Sequence, residues 1–106
     1  MATSGQKDLF AYAADNGPSI VYQAVNTANN KIYVGITRKN MHARFMQHQA
    51  KAKAGSKTPF HNAIRKYGAD AFILYVLAWC DSYLEAKQSE QKWISEIRPD
   101  YNVTAG

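Results

Sequence analysis

The sequence predicts a single small domain of the α+β class, with a β-hairpin near its start, one further strand and several helices. Its 106 residues, 46% of them hydrophobic, fit one globular domain with a modest core. Two apolar runs flank a turn-like cluster at residues 26–30, where asparagine tolerates the left-handed backbone of a tight turn. Later segments carry helical spacing between capping residues.

The charge balance favours a polyanionic partner, because 13 basic residues outnumber 8 acidic ones and leave a net charge of +5. Many small basic proteins bind nothing acidic, so this argument is modest on its own. The single cysteine, Cys80, lies in an apolar run and is expected to be a buried side chain in a reducing compartment. Without a secretory signal pattern or a membrane-length apolar run, we expect a soluble cytoplasmic protein with no membrane partner.

Residues 1–18 are small and polar, and we interpret them as an N-terminal extension with a short helix from about residue 6 to residue 14. The domain itself is expected to span residues 19–106.

The hairpin carries one tyrosine on each arm, Tyr22 and Tyr33. Along the second arm, aliphatic residues alternate with Tyr33 and Gly35, so the aliphatic side should pack on the core while these two point the other way. A glycine there lets another group approach the backbone closely. If the arms pair, the two phenols can lie near each other.

A first helix of the domain is expected from an Asn40 cap to about Ala54, with Gly55 as its stop. Arg44 and His48 lie one turn apart on or beside its apolar stripe. The simplest interpretation of His48 is a hydrogen-bonded core histidine, and that of Arg44 a side chain lying along the stripe's edge. The stripe comprises Met41, Phe45, His48 and Ala52.

A second helix is expected to begin at Thr58-Pro59 and to end at Gly68. His61, Arg65 and Lys66 are assigned to its polar side, which is either solvated or in contact with phosphate. The buried side is expected to comprise Phe60, Ala63, Ile64 and Tyr67.

The run from Phe72 to Trp79 is apolar on both faces and predicts a central strand, with Tyr75 and Trp79 in the core. Ser82 and Glu85 then form a capping-box pattern. The helix that follows is expected to run to about Ile97 before Pro99, with an apolar stripe of Tyr83, Ala86, Glu90, Trp93, Ile94 and Ile97.

Glu90 is the least ordinary position, because a carboxylate facing a core is costly unless it is paired, protonated or bound to a metal. A buried glutamate bonded to an arginine or tyrosine, and a metal ligand or acid/base group, are equally good interpretations from the sequence. In the extended tail, Asn102 is most simply a turn residue.

Taken together, these residues are suited to metal-assisted hydrolysis of a phosphodiester. One carboxylate suits Mg²⁺, which keeps most of its waters, with Mn²⁺ as a substitute. An arginine matches phosphate oxygens. A phenol would act as a base only if nearby cations lowered its pKa. The sequence shows neither a zinc-spaced Cys/His cluster nor a glycine-rich phosphate loop.

From Ser19 to its end, the chain carries a set of motifs in the order found in GIY-YIG nucleases. It most resembles the catalytic domains of intron-type homing endonucleases. The two triplets appear as Ile20-Val21-Tyr22 and Tyr33-Val34-Gly35. Further matches are Arg44 with His48, the segment Ala63 to Gly68 followed by Phe72, Glu90 ahead of Trp93-Ile94, and Tyr101-Asn102 followed by Thr104.

The resemblance implies a small three-stranded antiparallel sheet flanked by helices, and a site with assigned roles. Tyr22 would position or activate the water, with Tyr33 in support, and Arg44 would stabilise charge on the phosphate. His48 would assist proton transfer, Glu90 would bind the single metal, and Asn102 would hold the site together. Two departures are Ile20 in place of glycine and, where some relatives carry a histidine in the loop after the first helix, Lys57, with His61 only further along.

The expected partner is DNA, single- or double-stranded, bound by a monomer or by a fragment of a longer chain with a separate recognition region. A binding module without cleavage, or a structural domain with incidental charge, are the competing interpretations. The expected DNA contacts are Lys31, Arg38, Lys39, Lys51, Lys53, Lys57, His61, Arg65 and Lys66.

Overall fold

The computed structural model describes residues 17–38 and 40–102, so the helix expected near residues 6–14 lies outside the described residues. The fold is α+β, with a three-stranded antiparallel sheet and three α-helices. The elements in chain order are β1 (Ser19–Asn26), β2 (Ile32–Thr37), α1 (Met41–Lys53), α2 (Pro59–Tyr67), a 3₁₀ turn (Ala69–Ala71), β3 (Phe72–Cys80) and α3 (Tyr83–Ile97).

The first strand lies at the centre of the sheet, whose strand order is β2-β1-β3. The prediction of a central strand at Phe72–Trp79 is therefore wrong, because β3 is an edge strand. Tyr75 and Trp79, expected in the core, are 47% and 77% exposed. An apolar run shows only which side chains a strand has. The place of the strand in the sheet depends on which other strands pair with it.

Each helix begins at the predicted cap. The side chains of Asn40, Thr58 and Ser82 accept hydrogen bonds from the backbone N–H three residues later. The reciprocal bond of the capping box differs, because Glu85 accepts from the N–H of Asp81. After α1, Gly55 adopts a φ of 105°, in the left-handed region that favours glycine.

Alternate residues of the strands face two different helical layers. On the aliphatic face, Val21 and Val34 are fully buried with Ala86 of α3. The opposite, aromatic face packs Ala24, Phe45, Phe60, Phe72 and Tyr101 between the sheet, α1 and α2. Two sequence expectations fail at the margins: Tyr67, in the last turn of α2, is 37% exposed, and Cys80 is only half-buried.

The tail returns to the hairpin and closes the aromatic face. Tyr101 donates its backbone N–H to the Ile32 carbonyl over 3.0 Å. Its phenol oxygen accepts hydrogen bonds from the side-chain amide of Asn26, at the end of β1, and from that of Asn29, in the hairpin turn. Asn30 takes the left-handed backbone expected for this turn, with a φ of 64°.

Candidate active site

The two hairpin phenols lie on the aromatic face around Gly35. Tyr22 pairs with Gly35 across the strands, and the rings of Tyr22 and Tyr33 have centroids 6.3 Å apart. A Cβ at Gly35 would lie 2.9 Å from Tyr22 Oη and 2.8 Å from Tyr33 Cε2. The close approach expected at this glycine is confirmed, and the groups that approach are the two phenols themselves.

Tyr22 is fully buried, and its Oη has no hydrogen-bond partner among the described residues. Burial raises the pKa of its phenol well above the ordinary value, and the neighbouring Tyr33 adds to the rise. The Arg44 guanidinium lowers this pKa but does not outweigh burial, and Glu90 raises it further. The condition that nearby cations lower the phenol pKa is therefore not met, and Tyr22 carries its proton at neutral pH.

Tyr33 connects the phenol pair to a histidine. Its ring stacks on Phe60 at 4.1 Å, with an interplanar angle of 1°, and meets His48 edge-on at 5.2 Å. Burial raises the pKa of Tyr33 as well, while the charge of Arg44 lowers it and that of Glu90 raises it. The charges of Arg44 and Glu90 thus shift the pKa of both phenols.

Arg44 is half-buried on α1, and its Nη1 donates to Gln47 Oε1 over 2.8 Å. It lines a cleft of about 410 Å³ between α1, the end of β2 and the start of α3. Across this cleft the Arg38 guanidinium lies 4.5 Å above the ring of Tyr83. The cleft therefore offers two guanidinium groups and an aromatic side chain.

His48 is 5% exposed, as expected for a hydrogen-bonded core histidine, but its partner is His61. The Nδ1 atom of His48 lies 2.8 Å from Nε2 of His61, whereas Nε2 of His48 is buried and has no partner among the described residues. Burial, reinforced by Arg44, His61 and Lys51, lowers the pKa of His48 to about 3. The ring is therefore neutral at neutral pH.

His61 was assigned to the polar side of α2, and the structure places it in the interior at 6% exposure. Its Nδ1 lies 2.6 Å from Ser56 Oγ. The buried stripe of α2 is wider than predicted, because His61 and Ile64 are three residues apart and so share one helix face. That spacing is the sequence signal for its burial, whereas nothing in the sequence pairs it with His48.

Glu90 lies half-buried on α3, the helix of the opposite face. Burial raises its pKa, and Lys87, one turn earlier, opposes the rise. No hydrogen bond or salt bridge to an arginine or tyrosine holds its carboxylate among the described residues. A lone, partly desolvated carboxylate is suited to an ion such as Mg²⁺, which takes one or two carboxylates and keeps several waters. Within residues 17–38 and 40–102, no three His, Cys, Asp or Glu side chains gather into a larger metal cluster.

Asn102 bonds both groups of its side-chain amide to one residue of β2. Its Oδ1 accepts from the N–H of Val34 and its Nδ2 donates to the Val34 carbonyl, each over 2.8 Å. The side chain thus acts as a short strand at the sheet edge, and the interpretation as a simple turn residue is incomplete. The role expected of Asn102 in the site stays a prediction.

Comparison with known proteins places this geometry in a family. The family model described as the GIY-YIG catalytic domain matches residues 18–102. The chain belongs to the GIY-YIG family. It is accordingly a nuclease domain, as the resemblance in its motifs implied.

Two solved structures share the fold of this GIY-YIG domain. The chain is 28% identical to the catalytic domain of the homing endonuclease I-TevI, covering 82% of this chain and 99% of that one, with a TM-score of 0.65. A mutant of the same catalytic domain, with a glutamate replaced by alanine, matches at 28% identity and a TM-score of 0.68, covering 84% and 97%.

Two curated relatives come from Invertebrate iridescent virus 6. Protein 146R, to which an MSV199 domain is attributed, is 30% identical over 72% of this chain and 32% of its own length. Protein 019R, which is uncharacterised, is 26% identical over 72% of this chain and 28% of its own length. The chain therefore spans about a third of the curated relatives that it matches.

Most basic residues expected to contact DNA are exposed on this GIY-YIG domain. Arg65 differs in that its guanidinium already bonds the Ala52 carbonyl over 2.5 Å and the Asn62 side chain. Lys39 lies outside the described residues. The exposed set is Lys31, Arg38, Lys51, Lys53, Lys57, Arg65 and Lys66.

Tyr83 and Lys87 are two further candidates that the sequence patterns did not reveal. Tyr83 was assigned to an apolar stripe, but its ring makes two cation–π contacts. The Arg38 guanidinium lies 4.5 Å from the ring centroid and the Lys87 ammonium 5.9 Å from it. The spacing of Tyr83 and Lys87, four residues apart on one helix, was the available signal. No described helix combines the length and apolarity that crossing a membrane requires.

Proposed function

We propose that this domain is a metal-dependent DNA endonuclease that hydrolyses phosphodiester bonds with water, using Mg²⁺ or, as a substitute, Mn²⁺. The observation that carries the proposal is that Arg44 from α1 and Glu90 from α3 lie close enough to the hairpin phenols for their charges to shift the pKa of both: Arg44 lowers it and Glu90 raises it. A cation and a lone carboxylate around one pair of phenols are the groups that bind a phosphate and a divalent ion. A pure binding surface has no need of the half-buried carboxylate.

Arg44 is the proposed phosphate ligand. Its guanidinium lines the 410 Å³ cleft and acts on both phenols, so a phosphate bound there would lie between the cleft and the hairpin. Preorganised positive charge stabilises the additional negative charge of a phosphoryl transition state. Arg38 and Tyr83 across the cleft would hold the adjoining nucleotide by charge and by stacking.

Glu90 would hold the metal ion. When bound there, the ion supplies positive charge that stabilises the leaving 3′ oxygen. The carboxylate loses solvation through burial, and among the described residues Lys87 is the charge that opposes the rise in its pKa, so a cation is the partner that its environment lacks.

Tyr22 would position the attacking water. Because its phenol keeps its proton at neutral pH, it acts through hydrogen bonds: its oxygen accepts from the water while its proton is donated to a phosphate oxygen. Tyr33 would support this arrangement from the neighbouring register position. The imidazole of His48 is neutral at pH 7, so one of its nitrogens can accept a hydrogen bond from the water, but with a pKa of about 3 the ring does not hold an added proton there.

The remaining assignments are proposals of the same kind. The domain is proposed to comprise residues 19–106, with residues 1–18 as an extension, and to act as a monomer in the cytoplasm or as part of a longer chain. DNA is the proposed substrate, in single- or double-stranded form.

The test is cleavage of labelled single- and double-stranded DNA with Mg²⁺ by the wild-type chain and Glu90→Gln, which keeps the shape but removes the charge. Glu96→Gln, on the exposed side of the same helix, is the matched control. We expect Glu90→Gln to lose cleavage roughly 1,000-fold and Glu96→Gln to retain it.

Equal cleavage by Glu90→Gln and the wild type would remove Glu90 from the mechanism. Absence of cleavage of every substrate by the wild type would favour the alternative, a non-catalytic nucleic-acid-binding module. Binding that weakens steeply with salt would then support that alternative, because phosphate contacts release counterions.

A further inference from the structure

Beside Tyr33, three side chains form a hydrogen-bonded row, of which the proposed mechanism uses only the first, His48. His48 Nδ1 lies 2.8 Å from His61 Nε2, and His61 Nδ1 lies 2.6 Å from Ser56 Oγ. The three side chains come from α1, from α2 and from the loop between these helices. Both nitrogens of His61 are therefore engaged, one on each side.

The row runs from the interior towards the surface. His48 and His61 are 5% and 6% exposed, whereas Ser56 is half-buried. At the inner end, His48 Nε2 is buried without a partner among the described residues, and the His48 ring meets the rings of Tyr33 and Phe60 edge-on, at centroid distances of 5.2 and 5.0 Å. A buried nitrogen without a partner loses its solvation uncompensated, so a substrate or water atom that reached Nε2 would be favoured.

Two proton arrangements satisfy the same heavy-atom geometry. In the first, His48 Nδ1–H donates to His61 Nε2 and His61 Nδ1–H donates to Ser56 Oγ, which leaves His48 Nε2 unprotonated. In the second, Ser56 Oγ–H donates to His61 Nδ1 and His61 Nε2–H donates to His48 Nδ1, which leaves the proton on His48 Nε2. Each ring is neutral in both arrangements.

The surroundings keep both rings neutral. Burial and the cations Arg44 and Lys51 of α1 lower the pKa of His48, and burial with Lys51, Arg65 of α2 and Arg44 lowers that of His61. From β2, the Tyr33 phenol keeps its proton and adds no negative charge. An imidazolium carrier is therefore disfavoured, whereas interchange of neutral tautomers creates no charge in the interior.

We propose that His61 and Ser56 act with His48 as a proton relay that removes the proton of the attacking water. The water O–H bond breaks as its oxygen bonds to phosphorus, and the proton goes to His48 Nε2. In the same concerted shift the Nδ1 proton of His48 passes to His61 Nε2, the Nδ1 proton of His61 passes to Ser56 Oγ and the Ser56 hydroxyl proton leaves to solvent, so that neither ring becomes an imidazolium. The P–O3′ bond breaks, and the released oxygen takes a proton from solvent.

The relay rests on the proposed nuclease function, and its test separates the two. Cleavage by the wild type under saturating DNA and Mg²⁺ establishes the function first. Then kcat and KM are compared between His61→Gln and His42→Gln, the same substitution at an exposed histidine of α1. A glutamine accepts a hydrogen bond from His48 Nδ1 and keeps that ring oriented, but it does not pass a proton onward.

We expect His61→Gln to lower kcat roughly 100-fold with little change in KM, and His42→Gln to match the wild type. A wild-type kcat in His61→Gln would show that orientation alone suffices and would overturn the relay. An equal loss in His42→Gln would overturn it too, because that histidine is outside the row.

Ser56 gives a second test at a half-buried position, where folding is less at risk. Ser56→Ala removes the hydroxyl and Ser56→Thr keeps it, so the relay predicts a lower kcat in Ser56→Ala alone. Equal kcat values in the two variants would overturn the relay.

A third readout needs no catalysis. Long-range proton–nitrogen correlation spectra of the free protein at pH 7 should show both buried rings neutral. They should also show an exchange-protected imidazole proton shared between His48 and His61, which His61→Gln abolishes. An imidazolium in either ring at pH 7, or absence of that proton, would overturn the relay whether or not the protein cleaves DNA.

Discussion

The two faces of the sheet are built from different side chains, although alternate residues of the same three strands supply both. The aliphatic face buries Val21, Val34 and Ala86 against α3, without a buried titratable group among its described core residues. The aromatic face buries Tyr22 beside Tyr33, and His48 and His61 beside Phe60. Desolvation therefore shifts the pKa values of side chains on the aromatic face, while the aliphatic face contributes packing.

The comparison separates what stabilises the domain from what gives it chemistry. Glu90 is the exception, since it comes from the helix of the aliphatic face yet acts electrostatically on both phenols. Changes on the aliphatic face should reduce stability and leave chemistry intact, and changes on the aromatic face should do more to chemistry.

The largest effect should come from acid. His48 has a pKa of about 3 in the folded chain against an ordinary value of 6.5, so its stabilisation is complete above pH 6.5 and is lost as pH falls towards 3. The unfolded chain binds a proton in that window and the folded chain does not. We expect this group to account for roughly 3 kcal/mol of unfolding free energy lost between pH 7 and pH 4.

Denaturant unfolding of the wild type and His48→Gln at both pH values measures the difference. The glutamine variant should lose less stability on acidification, since its side chain does not titrate. Identical losses in the two proteins would show that the buried ring does not couple to folding.

Gly35→Ala should follow, as a change in chemistry more than in stability. The added Cβ would overlap Tyr22 Oη and Tyr33 Cε2 at under 3.0 Å, and these are side-chain ends that move more easily than backbone. We expect about a 100-fold loss of kcat, since displacement of a reacting group by 1 Å has that order of effect. The melting temperature measured by circular dichroism should fall by only a few degrees. Normal cleavage would show that the phenols need not be fixed by this register.

Val21→Ala tests the aliphatic face. Val21 is fully buried beside α3, so loss of two methyl groups should reduce the free energy of unfolding by about 2 kcal/mol through lost burial and a residual cavity. Cleavage measured well below the melting temperature should stay within about twofold of the wild type. A large loss of kcat in the folded variant would mean that the two faces are not separable.

The smallest effect is expected at Leu84, which is 61% exposed on the first turn of α3. Leu84→Gln should change the free energy of unfolding by less than about 0.5 kcal/mol and leave cleavage unaffected. Chemical denaturation and the DNA assay check this together. A loss above 1 kcal/mol would indicate a packing role that its exposure does not show.

Much of the local structure could be predicted because its causes are local. Asn40, Thr58 and Ser82 cap their helices within a few residues of themselves, and the helix bounds follow directly. The hairpin and its face alternation were predictable for the same reason, and so was the crowding around Gly35. The family motifs supplied the candidate site, since their order along the chain is visible in the sequence.

The failures concern relations between distant segments. The edge position of β3 arises because it pairs with β1 and with no second described strand, which its own apolar residues do not encode. His61 and His48 are 13 residues apart, and their bond exists only because α1 packs against α2. The rise in the Tyr22 pKa likewise needed the fold, because the sequence shows which cations are present but not how completely the phenol is desolvated.

The sequence by itself determined the elements, the family and the residue types available for phosphate chemistry, because propensity, capping and motif order are properties of neighbouring residues. The tertiary structure decided which groups are deprived of water and which meet. Desolvation and hydrogen bonding depend on distances between segments that folding alone brings together. For this reason Tyr22 keeps its proton, His48 stays neutral and His61 belongs to the interior.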